Sequence, residues 1–161
     1  MKTRTKILSR TSLCDRLNEH RQRGQKIVLA NGCFDLLHAG HIRYLEGARR
    51  EGDVLVVALN SDSSVRNLKG PGRPVLTAEA RAELVAALAA VDYVAIFDEP
   101  DVRALLRELR PTVHAKGTDY TTESVPERDE AVRLGIRIAI VGDPKQHSTR
   151  DLLARIRQAH G

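Results

Sequence analysis

Apolar residues fall along the chain in two rhythms: short unbroken runs, and stretches spaced three or four residues apart. The clearest run is DVLVVALN at residues 53–60, where positions 54–58 are apolar without interruption. A strand apolar on consecutive positions has both faces covered, which marks a parallel sheet between helix layers. Similar runs predict a first strand at 26–30 ending at Asn31-Gly32, a third at 93–97, a fourth at 112–116 and a fifth at 136–141.

The helical rhythm fills the gaps. Ser9 or Thr11 can cap a first helix to about Arg23, with Leu13 and Leu17 on one face and Gly24 closing it. Further helices are predicted at about 41–50, with Gly52 behind it, and, as a short helix or turn, at 61–67. Thr77 caps the next, with a buried stripe of Leu84, Val85, Leu88 and Val91. Pro100 is expected to start another that runs to Leu109 before Pro111, and residues 127–134 form one more. Ser148 or Thr149 caps the last, with Leu152, Leu153 and Ile156 inward. Residues 1–8 are basic and polar and read as a flexible leader.

Strands alternating with helices predict an α/β fold: a Rossmann-like doubly wound parallel sheet of about five strands with helices on both faces. The 161 residues suit a single domain, 1–161. In such sheets ligands bind at the carboxyl ends of the strands, near the point where strand order reverses. The loops that begin at Asn31, Asn60, Lys116 and Gly142 are therefore the ones to search.

Composition narrows the classes. Aromatic residues make up 3% of the chain, too few for a base-stacking platform, so no nucleic-acid partner is expected. The net charge of +5 fits a phosphorylated ligand, although much of the Arg excess (Arg103, Arg107, Arg110) sits beside acids on predicted helix faces. Cys14 and Cys33 form no zinc spacing, and no signal peptide or membrane-length apolar run occurs. The expected setting is cytoplasmic, with no membrane contact.

Candidate chemistry concentrates in NGCFDLLHAGH at residues 31–41. Gly32 and Gly40 permit close backbone approach. His38 and His41 stand three residues apart, on one face at the mouth of a helix whose free N–H groups favour anions. Zinc ligation would need a third ligand, and a pair of surface histidines without a role is the plain alternative. Cys33 could be a covalent nucleophile only with a base such as His38 in contact. Neither GxxxxGK[ST] nor GxGxxG is present, so a P-loop or dinucleotide redox domain is not indicated.

The run LANGCFDLLHAGHIRYLEGAR resembles the signature of the HxGH nucleotidyltransferase superfamily. With LNSDSSVRNLKGPGRPV, VDYV, KGTDY and HSTRDLLARI, the chain resembles the heptose-1-phosphate adenylyltransferases across about residues 25–158. That family makes ADP-heptose for lipopolysaccharide cores, often as half of a bifunctional kinase–adenylyltransferase. The resemblance implies transfer of AMP from ATP to a sugar 1-phosphate with release of pyrophosphate. It makes His38, His41 and Lys69 catalytic. It places Asn31, Gly32, Cys33, Phe34, Gly40, Lys116, Gly117, Ser148 and Thr149 against the nucleotide. Asp35, Arg73, Arg81 and Asp119 fall to the substrate, with Arg73 at the sugar phosphate or pyrophosphate and Asp119 toward sugar or ribose hydroxyls.

Several of these have plainer readings. Asp35 could bind Mg²⁺ or stabilise its turn, Lys69 could be a solvated loop lysine, and Arg81 could pair with Glu79 or Glu83 on a helix surface. Ser148 and Thr149 could simply cap a helix. No protein metal site is assigned, and Mg²⁺ is expected mainly on the nucleotide phosphates. By the same analogy the expected partners are a sugar phosphate from a separate kinase and phosphatase route and a second copy in a homodimer.

The chain departs from its relatives at Thr118 (KGTDY for KGGDY), at His114 where an apolar residue is usual, and at Arg150 where Thr is common. Two other functions remain open: a cytidylyltransferase for glycerol 3-phosphate or another polyol phosphate, and a nucleotide-binding module without turnover. The segment Lys145-Gln146-His147-Ser148-Thr149-Arg150, in place of RTEGISTT, favours the adenylyltransferase, and the intact histidine pair argues against the module.

Overall fold

The computed structural model describes residues 2–144 and 148–161. Strands β1 (Ile27–Gly32), β2 (Val54–Asn60), β3 (Tyr93–Phe97), β4 (Val113–Lys116) and β5 (Arg137–Ile140) form one parallel sheet in the order β3-β2-β1-β4-β5. The chain winds outward from β1 to β3, then returns to lay β4 on the other side of β1. Loops leaving β1 and β4 therefore part in opposite directions, which opens a crevice between them.

The two-residue period of each strand sorts the core into two layers. Val28, Ala30, Leu55, Val57, Leu59 and Val94 face helices α2 (Ala39–Arg49) and α4 (Ala78–Ala86), meeting Leu45, Ala48, Ala82 and Val85. Ile27, Leu29, Val54, Val56, Ala58 and Ala95 face α1 (Arg10–Gln22) and α5 (Arg103–Leu109), meeting Leu13, Leu17, Leu105, Leu106 and Leu109. All seven residues of β2 are buried because strands flank it and helices cover both faces. Each fully buried Leu or Val contributes about 1.5–3 kcal/mol relative to exposure.

Four helices begin on a hydroxyl cap. Ser9, Ser61, Thr77 and Ser148 accept from the backbone N–H of Ser12, Ser64, Ala80 and Asp151, opening α1, α3 (Asp62–Lys69), α4 and α7 (Thr149–His160). Gly24, just past α1, has φ +72°, where a side chain would be strained.

The structure corrects four expectations. Residues 3–8 are not loose: Thr3–Lys6 make a 3-10 turn, Ile7 bridges Val94, and the Lys6 ammonium donates to Val91 O at 2.7 Å. Leu84 is 45% exposed, and Arg81 takes its place on the buried side of α4 beside Ala78, Ala82 and Val85. Pro100 stands before the start of α5, which opens at Arg103 after Val102. Ile156 is exposed, and Leu152 and Leu153 are only half-buried, because α7 packs at the rim of the domain rather than across the sheet.

Surface arginines pair with acids, mostly from other elements: Arg10 with Glu99 and Glu108, Arg103 with Asp101 and Asp129, and Arg107 with Glu130. Exposed pairs of this kind add little stability. No helix among the described residues is long and apolar enough to cross a membrane.

Candidate active site

A cleft of about 1310 Å³ opens at the carboxyl ends of β1 and β4. Its walls bring together segments far apart in sequence. The end of β1 and the turn after it supply Asn31, Gly32, Cys33, Phe34 and Asp35, and the mouth of α2 supplies His38, Gly40 and His41. Lys69 and Arg73 come from the end of α3 and the loop after it, Lys116, Gly117 and Asp119 from the end of β4, and Ser148 and Thr149 from the start of α7. Lys69 is the last residue of α3 rather than a loop residue, two positions beyond the expected boundary. Of the sequence-derived candidates, only Arg81 is missing from these walls.

His38 is the N-cap of α2. Its Nδ1 accepts from Gly40 N at 3.1 Å, which satisfies one of the helix's open donors. With the Nδ1 lone pair committed, the ring proton of the neutral imidazole sits on Nε2, a donor. The two imidazoles stack with centroids 3.8 Å apart and planes 22° apart. Phe34 supports His41 from below, ring centroids 5.1 Å apart, and is itself nearly parallel to Tyr44. To present that ring the chain turns at Phe34 with φ +48°, an uncommon conformation for a residue with a side chain. Gly32 lets the same ring pack closely: a Cβ there would lie 3.0 Å from Phe34 Cε2, so the ring would have to shift. Its lack of a side chain serves internal packing, not only approach to a ligand.

Asp35 settles as a turn former. It is 2% exposed and accepts from Arg73 Nε at 2.7 Å, Val75 N at 2.9 Å and Leu76 N at 3.0 Å. Burial pushes its carboxyl up, but the N–H groups of Leu76 and Val75 and the Arg73 guanidinium outweigh that and hold it below the usual carboxylate range. The folded-state value is thus depressed relative to the unfolded chain. Its stabilisation is complete above the ordinary carboxylate range and is lost as pH falls through the depressed value. Asp35→Ala is expected to cost about 2–3 kcal/mol in urea unfolding at pH 7. The deficit should shrink in acid; equal deficits at pH 7 and pH 3 would contradict this account.

Arg81 is fully buried, and its role is likewise internal. Its Nε donates to Leu76 O at 3.0 Å, Nη1 to Cys33 O at 2.7 Å and to Asn60 O at 2.8 Å, and Nη2 to Asp62 at 2.8 Å. It pairs with neither Glu79 nor Glu83. It ties the loops leaving β1 and β2 to α3 and α4, so the substrate contact expected of it gives way to positioning. Cys33 does not look like a nucleophile: burial pushes its thiol up, against the pull of Lys69, Arg81 and Arg73.

Tyr44 was not visible as a functional residue. Its hydroxyl donates to Ala115 O at 2.7 Å and accepts from Asn31 N at 3.4 Å, so it bridges β4 and β1 beneath the crevice. His114, the departure in β4, is fully buried with Nε2 3.1 Å from Asn31 Oδ1. Burial, and then the charge of Lys116, pushes it down to about 3, so the ring is neutral at ordinary pH and suits a strand interior. Thr118 donates to Asp143 O at 2.9 Å, tying the loop after β4 to the one after β5.

The cleft is basic, lined by Arg43, Lys69, Arg73, Lys116, Arg150 and Arg157. Two of its acids are already matched: Asp35 by Arg73 and Asp143 by Arg43 at 3.4 Å. Arg150 and Arg157 stand seven residues apart, with Leu153 and Ala154 between them on the cleft side, a spacing that could have marked Arg157 in the sequence. Ser148 caps α7 through Asp151 N at 3.1 Å. Lys145, Gln146 and His147 lie outside the described residues.

A family model described as cytidylyltransferase-like matches residues 29–151, a span that begins in β1 and ends in α7. The chain belongs to the cytidylyltransferase-like family. Within the cytidylyltransferase-like family, it is similar to the bifunctional protein HldE of Syntrophotalea carbinolica, 47% identical over 152 residues that cover 94% of this chain and 31% of that one. It is similar also to HldE of Geobacter metallireducens, 45% identical over 97% of this chain and 32% of that one. The chain thus spans about a third of the length of these relatives. Among solved structures it is similar to the lipopolysaccharide core biosynthesis protein of Thermoplasma volcanium, with a TM-score of 0.66 and 28% identity over 76% of this chain and 100% of that one. The cytidylyltransferase-like match takes in the paired histidines, the Lys116 strand end and the start of α7, so it covers most of the cleft.

Proposed function

We propose that the chain is a nucleotidyltransferase that moves AMP from ATP to D-glycero-β-D-manno-heptose 1-phosphate, giving ADP-heptose and pyrophosphate. The observation that carries this reading is the stacked His38–His41 pair at the N-terminus of α2, inside a cleft whose walls are basic. Such an arrangement suits a phosphorus centre that gains negative charge as it reacts. Similarity to HldE over nearly the whole chain supports the choice of sugar.

In the proposed reaction an oxygen of the sugar 1-phosphate attacks the α-phosphorus in line. The bond from that phosphorus to the bridging oxygen breaks, and pyrophosphate leaves. No covalent enzyme intermediate is involved, so catalysis consists of positioning and charge stabilisation. His38, donating from Nε2, and His41 stabilise the α-phosphate and bridging oxygens. Lys69, Arg73 and Lys116 neutralise the phosphates, with Mg²⁺ arriving on ATP as part of the substrate. Asp119 is exposed in the cleft lining, and in this reading it meets sugar or ribose hydroxyls. In this reading the enzyme works in the cytoplasm as a homodimer, supplied with sugar phosphate by a separate kinase and phosphatase.

The deciding experiment is pyrophosphate release with ATP or CTP against a panel of sugar and polyol phosphates. Release with ATP and a heptose 1-phosphate is expected. Release only with CTP and glycerol 3-phosphate would replace the reading with the polyol one, and nucleotide binding without release would indicate a module without turnover. Lys116→Ala is expected to weaken ATP binding by about 10-fold or more, the scale of one charge-assisted phosphate contact; unchanged affinity by calorimetry would remove Lys116 from the site.

A further inference from the structure

Lys116 is held in an unusual way. Its side chain is 8% exposed, yet its ammonium makes no hydrogen bond to the protein among the described residues. Two groups hold it. Glu127 Oε2 lies 3.8 Å away, and the ring of Tyr120 lies 4.7 Å from Nζ to centroid. Glu127 precedes α6 (Arg128–Arg133), is 4% exposed, and its Oε2 is buried with no hydrogen-bond partner among the described residues. A buried ammonium and a buried carboxylate thus face each other at a distance too long for a hydrogen bond. Each relies on the other for charge balance, while the ammonium keeps donors to offer at the cleft, which Lys116 lines.

We infer that Glu127 is a positioning residue for nucleotide binding: from behind Lys116 it keeps the ammonium charged and in place, with Tyr120 as the second wall of the cage, so that Lys116 meets a phosphate oxygen with unspent donors. The inference rests on the proposed nucleotide site. Glu127 itself does not line the cleft and touches no substrate. A direct hydrogen bond from Lys116 to Glu127 would satisfy the lysine internally and weaken its pull on a ligand. A separation of 3.8 Å retains the charge and leaves the hydrogens available.

The electrostatic surroundings agree. Burial lowers Lys116 from the ordinary lysine value, and Glu127 opposes that. Asp119 and Asp143 share the cleft wall with Lys116, but Glu127 is the acid whose charge acts on it. His114 is neutral on the same strand. Tyr44 on α2 is pushed above its usual value by burial. Tyr120 offers its ring. Glu130 on α6 is committed to Arg107 and Arg133. Glu127 is therefore the group whose removal should expose Lys116 to the full effect of burial.

The test follows the Lys116 ammonium by NMR in full-length protein labelled at lysine Cε, its signal assigned by loss in K116R, with ATP affinity measured by calorimetry across the same pH range. In E127Q the Lys116 titration midpoint is expected to fall by at least about one pH unit. ATP affinity should then drop about 10-fold between pH values on either side of the new midpoint, where wild type stays flat. The double variant E127Q/K116R should lose that pH dependence, because a guanidinium remains charged. An unchanged midpoint in folded E127Q overturns the inference. Should E127Q fail to fold, E127D decides: its carboxylate stands one methylene further back, so the midpoint must fall partway, and no movement overturns the inference. Absence of ATP binding by wild type at any pH would sink the nucleotide-site reading instead, while the ammonium titration would still judge Glu127.

Discussion

Replacing His41 by alanine is expected to lower turnover by at least about 100-fold, the scale for losing one donor aimed at transition-state charge. His41 is the sharper probe of the pair. His38 caps α2 through Nδ1, so its removal mixes loss of a donor with a cap loss of about 0.5–2 kcal/mol. His41 stands one turn inside the helix, where alanine is a good helix former, and its ring is held by stacking on His38 and by Phe34. The fold should therefore survive, with a small change in melting temperature. ATP binding should weaken less than turnover falls, because the donor is needed most when the phosphorus gains charge. Steady-state pyrophosphate release, with a binding isotherm on the same variant, measures both. Turnover within a few-fold of wild type would remove His41 from the chemistry.

The second large effect falls on stability. Arg81→Met is expected to destabilise the domain by about 3–5 kcal/mol, the range for removing one partner of a buried charged network. The acceptors left behind are the carbonyls of Cys33, Asn60 and Leu76 and the carboxylate of Asp62. The three carbonyls lie on segments that shape the cleft from β1, β2 and the loop before α4, so partial unfolding should begin there. Arg81→Lys should recover only part of the loss, since an ammonium cannot reproduce the planar fork. Urea unfolding gives the value directly. A loss under 1 kcal/mol together with a collapse of substrate affinity would instead restore the direct substrate contact that the sequence suggested for Arg81.

The sequence by itself was enough for the α/β class, the five strands and the histidine pair. Those features are local: an apolar run as long as 54–58 needs two covered faces, and two histidines three residues apart share a helix face wherever the helix lies. The hydroxyl cap at Thr77 was legible for the same reason, since the cap and its partner lie within one turn, and Ser9 and Ser148 were each one of two candidates. Residues whose partners are distant in sequence were not legible. Arg81 resembled a surface helix residue because its partners, at positions 33, 60, 62 and 76, come from other elements. Leu84 resembled a core residue because apolar character does not reveal which side of a short helix meets the sheet. Asp35 could have been a metal ligand or a turn former until the loop around Val75 folded back onto it. The basic wall of the cleft and the Lys116–Glu127 pair likewise appear only when the order β3-β2-β1-β4-β5 sends the loops after β1 and β4 apart and brings the strand ends together. Pattern determined which elements form, because that depends on neighbours along the chain. Tertiary structure determined which charges meet, because that depends on neighbours across space.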